Sequence, residues 1–261
     1  MRMRPIQRQN QREGQPVSSR LQFSRNGHKY YLDGSEVPSV TTILRMLDKP
    51  NLVPWAARVA ADYAVNNWQS LSEMDPAERH DPIANAHRRR NRTAVVAGTA
   101  IHRYAEDLIH GRPVDVPTRI LAQVNSLARW LSQTGAEPIH LETSVYTPAS
   151  DTLEVSGYAG TFDAIVKHPH HGSLLLDWKT GSGPWTEMAY QIAAYGAAEY
   201  AVIDGDDRPT PEIDTVGVVM VGIDETVLHT LDPDSRNHAW RRFEALLAFH
   251  YQGTPEFTED M

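Results

Sequence analysis

Asp163 and the triplet Asp177-Trp178-Lys179 are the residues best placed to do chemistry in this chain. Between them run Ala164-Ile165-Val166-Lys167, the turn His168-Pro169-His170-His171-Gly172, and Ser173-Leu174-Leu175-Leu176. Two aliphatic runs around a Pro/Gly turn read as an antiparallel hairpin. A five-residue loop over 168–172, symmetric about His170, pairs Lys167 with Ser173 and sets Asp163 directly opposite Asp177. Opposed side chains on one face lie ~4.5–5.5 Å apart at Cβ, and like charges there repel. Two carboxylates held that way need a cation between them. Strand alternation puts Lys179 on the face of Asp177 and Trp178 on the other. The expectation is a divalent-metal site with an ammonium beside it, at a sheet edge where a phosphate can lie. The plainer alternative is two surface aspartates on ordinary strands. Asp is depleted in strands, however, and Asp177 follows three leucines directly.

Other residues offer partners to such a centre. Gly98-Thr99-Ala100-Ile101-His102 opens a helix or sits early in one, and His102, Glu106 and His110 then share a face. Alone, His102 reads as a helix-surface histidine. Beside a carboxylate pair it becomes a third ligand through a neutral imidazole nitrogen, with Glu106 orienting it or a water and His110 left to solvent. Gln191 and Tyr195 lie one turn apart on the helix after Lys179. They are either a surface glutamine with a core tyrosine, or a pair holding a phosphate or base at the metal. Glu142, one strand earlier, either supports the ligands or is simply exposed. Arg88, Arg89, Arg90 and Arg92 span about one helical turn, as a solvated face or a phosphate-steering patch. The turn His168-Pro169-His170-His171 has the composition of a metal-binding tract. It lies at the far end of the hairpin from both aspartates and reads as solvated.

The elements that carry these residues follow from the pattern. Residues 1–20 are rich in Arg, Gln and Ser, so a disordered basic tail is expected. Residues 21–24 and 29–32 flank Asn26-Gly27 as a small hairpin. Ser39 caps a short helix through Leu47, and Pro54 opens another carrying Trp55, Val59, Tyr63 and Trp68. Helices are expected at 82–93 and 94–111. An amphipathic helix over 117–134 turns Ile120, Leu121, Val124, Leu127, Ala128 and Leu131 inward. Past Gly135 come strands at 138–147, 154–167 and 173–180, a helix at 184–202, and strands at 216–221 and 226–231. A last helix starts at Asp232-Pro233, with Trp240, Phe243, Leu246 and Leu247 facing in. The expected organisation is a hairpin-and-helix region over 21–135, a core over 136–253 and a tail over 254–261. Residues 21–253 would form one compact α/β domain, a mixed sheet flanked by helices.

A chain of 261 residues with 41% hydrophobic content can bury a substantial core. No apolar run approaches ~18 residues, so no membrane span is expected. No segment reads as a signal peptide, and the basic start lacks the apolar face of a mitochondrial presequence. A cytoplasmic location is expected. The absence of cysteine excludes disulfides, Cys-ligated zinc and an iron–sulfur cluster. Ligands limited to oxygen and imidazole favour magnesium or manganese. The net charge of −8 weighs weakly against nucleic acid, since placement matters more than the sum.

Gly98-Thr99-x-x-His102, Gly160-Thr161-Phe162-Asp163, Asp177-Trp178-Lys179 and Gln191-x-x-x-Tyr195 occur in this order. Together they resemble the motifs of the RecB-like branch of the PD-(D/E)XK nuclease superfamily. Val37-Pro38-Ser39-Val40-Thr41-Thr42-Ile43-Leu44 with Trp55 resembles the N-terminal region of phage exonucleases and mitochondrial single-strand DNA exonucleases of that group. The resemblance implies a restriction-endonuclease-like core. It implies Mg2+ or Mn2+ held by His102, Asp163, Asp177 and the Trp178 backbone carbonyl, with Lys179 catalytic and Gln191 and Tyr195 on DNA. Asp177 stands where Glu is commoner, which RecB-like members also accept. The cysteines of iron–sulfur relatives, such as the CRISPR-adaptation nucleases, are absent. The implied activity is metal-dependent exonuclease action on single-stranded or frayed DNA ends. Its setting would be phage-type recombination, replication or repair, beside proteins of those processes and inside a bacterial host if phage-encoded. The alternatives are a restriction-type or structure-specific endonuclease, and a catalytically silent DNA-binding protein. The silent form would lack the lysine or a carboxylate, and neither is missing.

Overall fold

The computed structural model describes residues 19–150, 157–181 and 183–252. The chain divides into two compact units, one built from the residues up to Met46 with those from His102 onward, the other from Leu47–Ile101. Helical patterning runs across both cut points, so the sequence signals neither. The expected boundary at Gly135 lies inside the larger unit.

That unit opens with an antiparallel sheet of β1 (Leu21–Ser24), β2 (Lys29–Leu32) and β3 (Ser35–Val37). The expected hairpin is present, and its partner β3 is too short to read from sequence. Order begins before residue 21: Ser19 is buried and donates to Asp207 at 2.7 Å. Residues 1–18 of the expected basic tail, 154–156 of an expected strand and the 254–261 tail lie outside the described residues. Next comes α1 (Val40–Leu44), where Ser39 Oγ accepts the Thr42 N–H at 3.0 Å, the expected cap. The helix stops three residues before Leu47.

The smaller unit holds α2 (Leu52–Asn66), α3 (Trp68–Ser72), α4 (Pro76–Ala84) and the first part of α5 (Ala86–Ile109). Trp68 therefore sits on α3, past a break at Asn67, and is exposed. The expected helices at 82–93 and 94–111 are replaced by α4 and α5. The break falls at Asn85, whose side-chain amide donates to Asp81 O at 3.0 Å. Gly98 and His102 thus lie well inside a 24-residue helix rather than near its start. Arg89 donates to Pro82 O at 2.5 Å and lies 4.7 Å over the Tyr63 ring, holding α2, α4 and α5 together. Arg88, Arg90 and Arg92 are exposed.

In the larger unit a 3-10 turn leads into α6 (Leu121–Gln133). Then follow β4 (Glu137–Thr147), β5 (Tyr158–His168), β6 (Gly172–Lys179), α7 (Thr186–Ala197), β7 (Tyr200–Ile203), β8 (Asp206–Pro209), β9 (Thr215–Val221), β10 (Thr226–Leu231) and α8 (Pro233–Tyr251). Seven strands form one sheet in the order β10-β9-β6-β5-β4-β7-β8. Among the described strands of this sheet only the β6–β9 pair is parallel, so the chain is α/β with a mixed sheet, as the pattern leads one to expect. Strand β7 occupies the expected end of the 184–202 helix. Ala198 turns extended, and Tyr200 pairs with Tyr146 of β4, their rings stacked 5.3 Å apart. That contact overrides the helix preference of an alanine-rich stretch.

Both faces of the central strands are covered, which explains apolar runs such as Leu174-Leu175-Leu176. On one face Trp130 of α6 meets Trp178 edge-on at 5.9 Å. On the other lies α7, with α8 against it: Tyr158 of β5 donates to Ala194 O at 2.8 Å and meets Phe243 edge-on at 5.1 Å. Phe243 and Leu247 are buried as expected, while Leu121 of the α6 stripe is exposed. No helix among the described residues is long and apolar enough to cross a membrane.

Candidate metal centre

The β5–β6 hairpin has the expected register, from Lys167↔Ser173 to Ala164↔Leu176, with Asp163 and Asp177 next along. Its loop is shorter than expected, because His168 and Gly172 also pair. Both strands are interior to the sheet, flanked by β4 and β9. The acidic pair therefore sits inside the sheet, Asp163 in the middle of β5 and Asp177 near the end of β6, and not on a sheet edge. On β4, the pairs Leu141↔Ala164 and Thr143↔Phe162 bracket Glu142 and Asp163, so these two face each other as well. Three acidic residues, Glu142, Asp163 and Asp177, form one row across three neighbouring strands. Glu142 has φ 43°, a left-handed conformation that costs a non-glycine residue on the order of 1–3 kcal/mol and clusters at functional sites.

Asp163 is buried and held twice. Its Oδ1 lies 2.9 Å from His102 Nδ1, and its Oδ2 accepts the Trp178 N–H at 2.6 Å. Ligand atoms of His102, Glu142 and Asp163 all lie within 4.8 Å of one another. Asp177 is buried, ion-paired with the Lys179 ammonium and 3.4 Å from Gln191 Nε2. Gln191 Nε2 also donates to Tyr195 Oη at 2.9 Å. The expected sidedness holds, with Lys179 on the acidic face and Trp178 packed behind the sheet. The nitrogen and oxygen donors of His102, Glu142 and Asp163 could hold a metal ion.

Close approach of α7 to β5 depends on Gly160, where a Cβ would stand 2.4 Å from Tyr195 Cε1 and 3.3 Å from Val40 Cγ2. Gly160→Ala is expected to displace Tyr195 from Gln191 and lower the melting temperature by roughly 2–10 °C, since overpacking costs about 1–3 kcal/mol. A thermal denaturation curve that superimposes on the wild type would show that the ring yields freely.

Charge crowding shifts the titrations. Burial pushes the Asp177 carboxyl up to about 6, with Lys179 opposing the shift and Asp163 adding to it. Desolvation, then the charge of Asp163, pushes Glu142 up to about 7. For His102, burial disfavours the cation, but its bond to Asp163 outweighs that and raises it. Burial likewise opposes the Lys179 charge, yet Asp177 and Asp163 raise its pKa, so it stays an ammonium at neutral pH. Two raised carboxylates must shed protons before they can ligate. Mn2+ affinity, read by calorimetry, is therefore expected to fall about tenfold or more between about pH 8 and about pH 6. A pH-independent affinity would contradict this. The same shifts fix the sign for folding. Glu142 and Asp177 contribute stability below their ordinary values of 4.5 and 3.8, and it is lost as pH rises through about 7 and about 6.

Other expected residues lie elsewhere. Glu106 accepts from Arg112 at 2.8 Å, because the chain after Gly111 folds Arg112 back over the last turn of α5. It is committed to that ion pair rather than to orienting His102. His110 is half-buried, 3.8 Å from Glu106, and not left to solvent. Within the turn read as solvated, Pro169 and His170 are exposed as expected, but His168 is buried, its ring 4.7 Å from that of His171. It remains at the opposite end of the hairpin from the acidic row. The four arginines belong to the smaller unit. Glu142 enters the cluster as a full member. Its signal was its place opposite Asp163, hidden by the register shift between Pro138 and His140.

No protein-family model matches the chain, and no curated protein matches it. Among solved structures it is similar to one titled "Crystal structure of SSO0001", at 14% identity and TM-score 0.34, with 84% of this chain and 87% of that chain covered. A likeness of that size carries no argument.

Proposed function

We propose that this protein is a metal-dependent deoxyribonuclease with a restriction-endonuclease-like core, acting as an exonuclease on single-stranded or frayed DNA ends. The observation that carries the reading is the row Glu142, Asp163, Asp177, with His102 bonded to its middle member and Lys179 paired to its last. The ordered motifs support it: His102, Asp163, the Asp177–Lys179 segment and Gln191 come from separate stretches of the chain yet are linked by a chain of contacts.

His102, Asp163 and Asp177, with Glu142 added and the Trp178 carbonyl as the resemblance implies, would hold Mg2+ or Mn2+. Bound there, the ion supplies an activated water and neutralises phosphate charge. The chain's own residues do the rest. Trp178 N–H and His102 fix the Asp163 carboxylate in place. Lys179, kept protonated by its acidic neighbours, stabilises the charge that develops on the phosphate oxygens, a role its raised pKa favours over that of a base. Gln191, tied to Asp177, meets the substrate strand, and Tyr195, a buried core tyrosine and not a DNA contact, holds Gln191 in place through its hydroxyl. Arg88, Arg90 and Arg92 serve phosphate steering; Arg89 is already committed to Pro82 and Tyr63.

The test is cleavage of end-labelled single-stranded, blunt duplex and covalently closed circular DNA with Mn2+, with Mg2+ and with chelator. Metal-dependent degradation of the single strand, sparing closed circles, is expected. Circles cut as fast as linear strands would transfer the reading to an endonuclease. No cleavage of any DNA with either metal would reject it.

A further inference from the structure

The loop leaving Lys179 passes Gly181 (φ 145°) and Gly183 (φ 153°) and ends on Trp185, the residue that precedes α7. Trp185 is 50% exposed, whereas Trp178, in the strand before it, is 2% exposed. Isolated exposed apolar side chains are ordinary, so position must decide whether this one matters. Trp185 has an extended backbone (φ −104°, ψ 154°), and its N–H points at Met188 Sδ at 3.5 Å. The Trp185 backbone is thereby tied to the first turn of α7, and its indole is left exposed. Met188 and Gln191 are three apart on that helix and share a face, and Gln191 reaches Asp177. The distance along the helix from Trp185 to Gln191 is roughly 9 Å at 1.5 Å per residue. An exposed aromatic side chain thus precedes the helix that contacts the acidic row, about two turns ahead of the residue that makes the contact.

Electrostatics give that side chain a purpose. The row concentrates carboxylates, so it repels a polyanion along the very path a strand must take. Stacking on an aromatic face holds a base without using charge and without regard to sequence. Duplex bases are already stacked on each other and are not offered to it.

Resting on the nuclease reading of the acidic row, we propose that Trp185 is a stacking platform for an unpaired base next to the scissile phosphate, so that the site favours single-stranded over duplex DNA. The probe is fluorescently labelled oligothymidylate, titrated in Mn2+ into the Lys179→Ala protein, with Trp185→Ala and Trp185→Phe added to that background. The indole is half exposed, so both substitutions should leave the melting temperature unchanged. Trp185→Ala is expected to weaken binding about tenfold or more, with Trp185→Phe recovering most of the loss. A strand carrying abasic residues should bind the Trp185-containing protein less tightly and cost the Trp185→Ala protein nothing further, the mark of a base–indole contact rather than a structural one. Binding unchanged by Trp185→Ala, an abasic penalty that persists in it, or no binding of the strand at all would overturn the proposal. Cleavage by the wild type reads the nuclease assignment separately, so either can fail while the other stands.

Discussion

Lys179→Ala is expected to lower DNA cleavage by about a hundred- to a thousandfold while Mn2+ still binds, the cost of removing one preorganised charge-stabilising donor. Lys179 is the cation paired with the acidic row and is only 22% exposed at its side chain. Its removal takes nothing from the ligand set and relieves the metal of a competing positive charge, so Mn2+ affinity should be equal or higher. The cost appears in the metal-free fold. Asp177 would keep only its contact with Gln191, and stripping one partner from a buried ion pair costs about 3–5 kcal/mol. The variant can escape by protonating Asp177, whose pKa is already raised by burial. Metal-free Lys179→Ala should therefore melt well below the wild type at alkaline pH, less so at mildly acidic pH, and recover with Mn2+. Single-turnover cleavage, calorimetry and thermal melts read the three parts. A near-wild-type cleavage rate would remove Lys179 from the chemistry.

Asp163→Asn should separate function from stability in the opposite sense. The asparagine carbonyl can still accept the Trp178 N–H that Asp163 now accepts at 2.6 Å, and its amide can donate to His102. Removing the middle charge also relieves Glu142 and Asp177, so the metal-free variant should melt at or above the wild type near pH 8. Metal affinity and cleavage should be lost together. At a Mn2+ concentration of about 100 times Kd, ligation contributes about 2.7 kcal/mol, or roughly 5–10 °C in melting temperature. The wild type should show that rise and Asp163→Asn should not. A variant that still gained it would place the ion elsewhere.

Much of this centre was legible in the chain. The hairpin register follows from two aliphatic runs about His170, and the faces of Lys179 and Trp178 follow from alternation. His102 was reachable only through company, since a helical histidine alone says little. The place of Glu142 in the cluster was missed because it depends on pairing β4 with β5 through an irregular register, which strand patterning does not specify. Glu106 was misjudged because Arg112 lies beyond the helix, where turn geometry decides its direction. In the fold, β7 was read as helix because local alanine preference gave no hint of Tyr146 waiting on β4. The break at Asn85 fell inside the helix expected over 82–93, and the unit boundary before His102 inside the one expected over 94–111. Strong short-range periodicity was readable, and features fixed by distant partners were not.

The most direct measurement pairs Mn2+ binding, followed by loss of the free-ion electron paramagnetic resonance signal, with cleavage of end-labelled single-stranded DNA in the same titration. Binding and cleavage should rise over the same Mn2+ range in the wild type, and both should vanish in Asp163→Asn. Full-rate cleavage by protein stripped of metal with chelator, or saturable binding with no cleavage of any DNA, would contradict a divalent ion working from the Glu142–Asp163–Asp177 row.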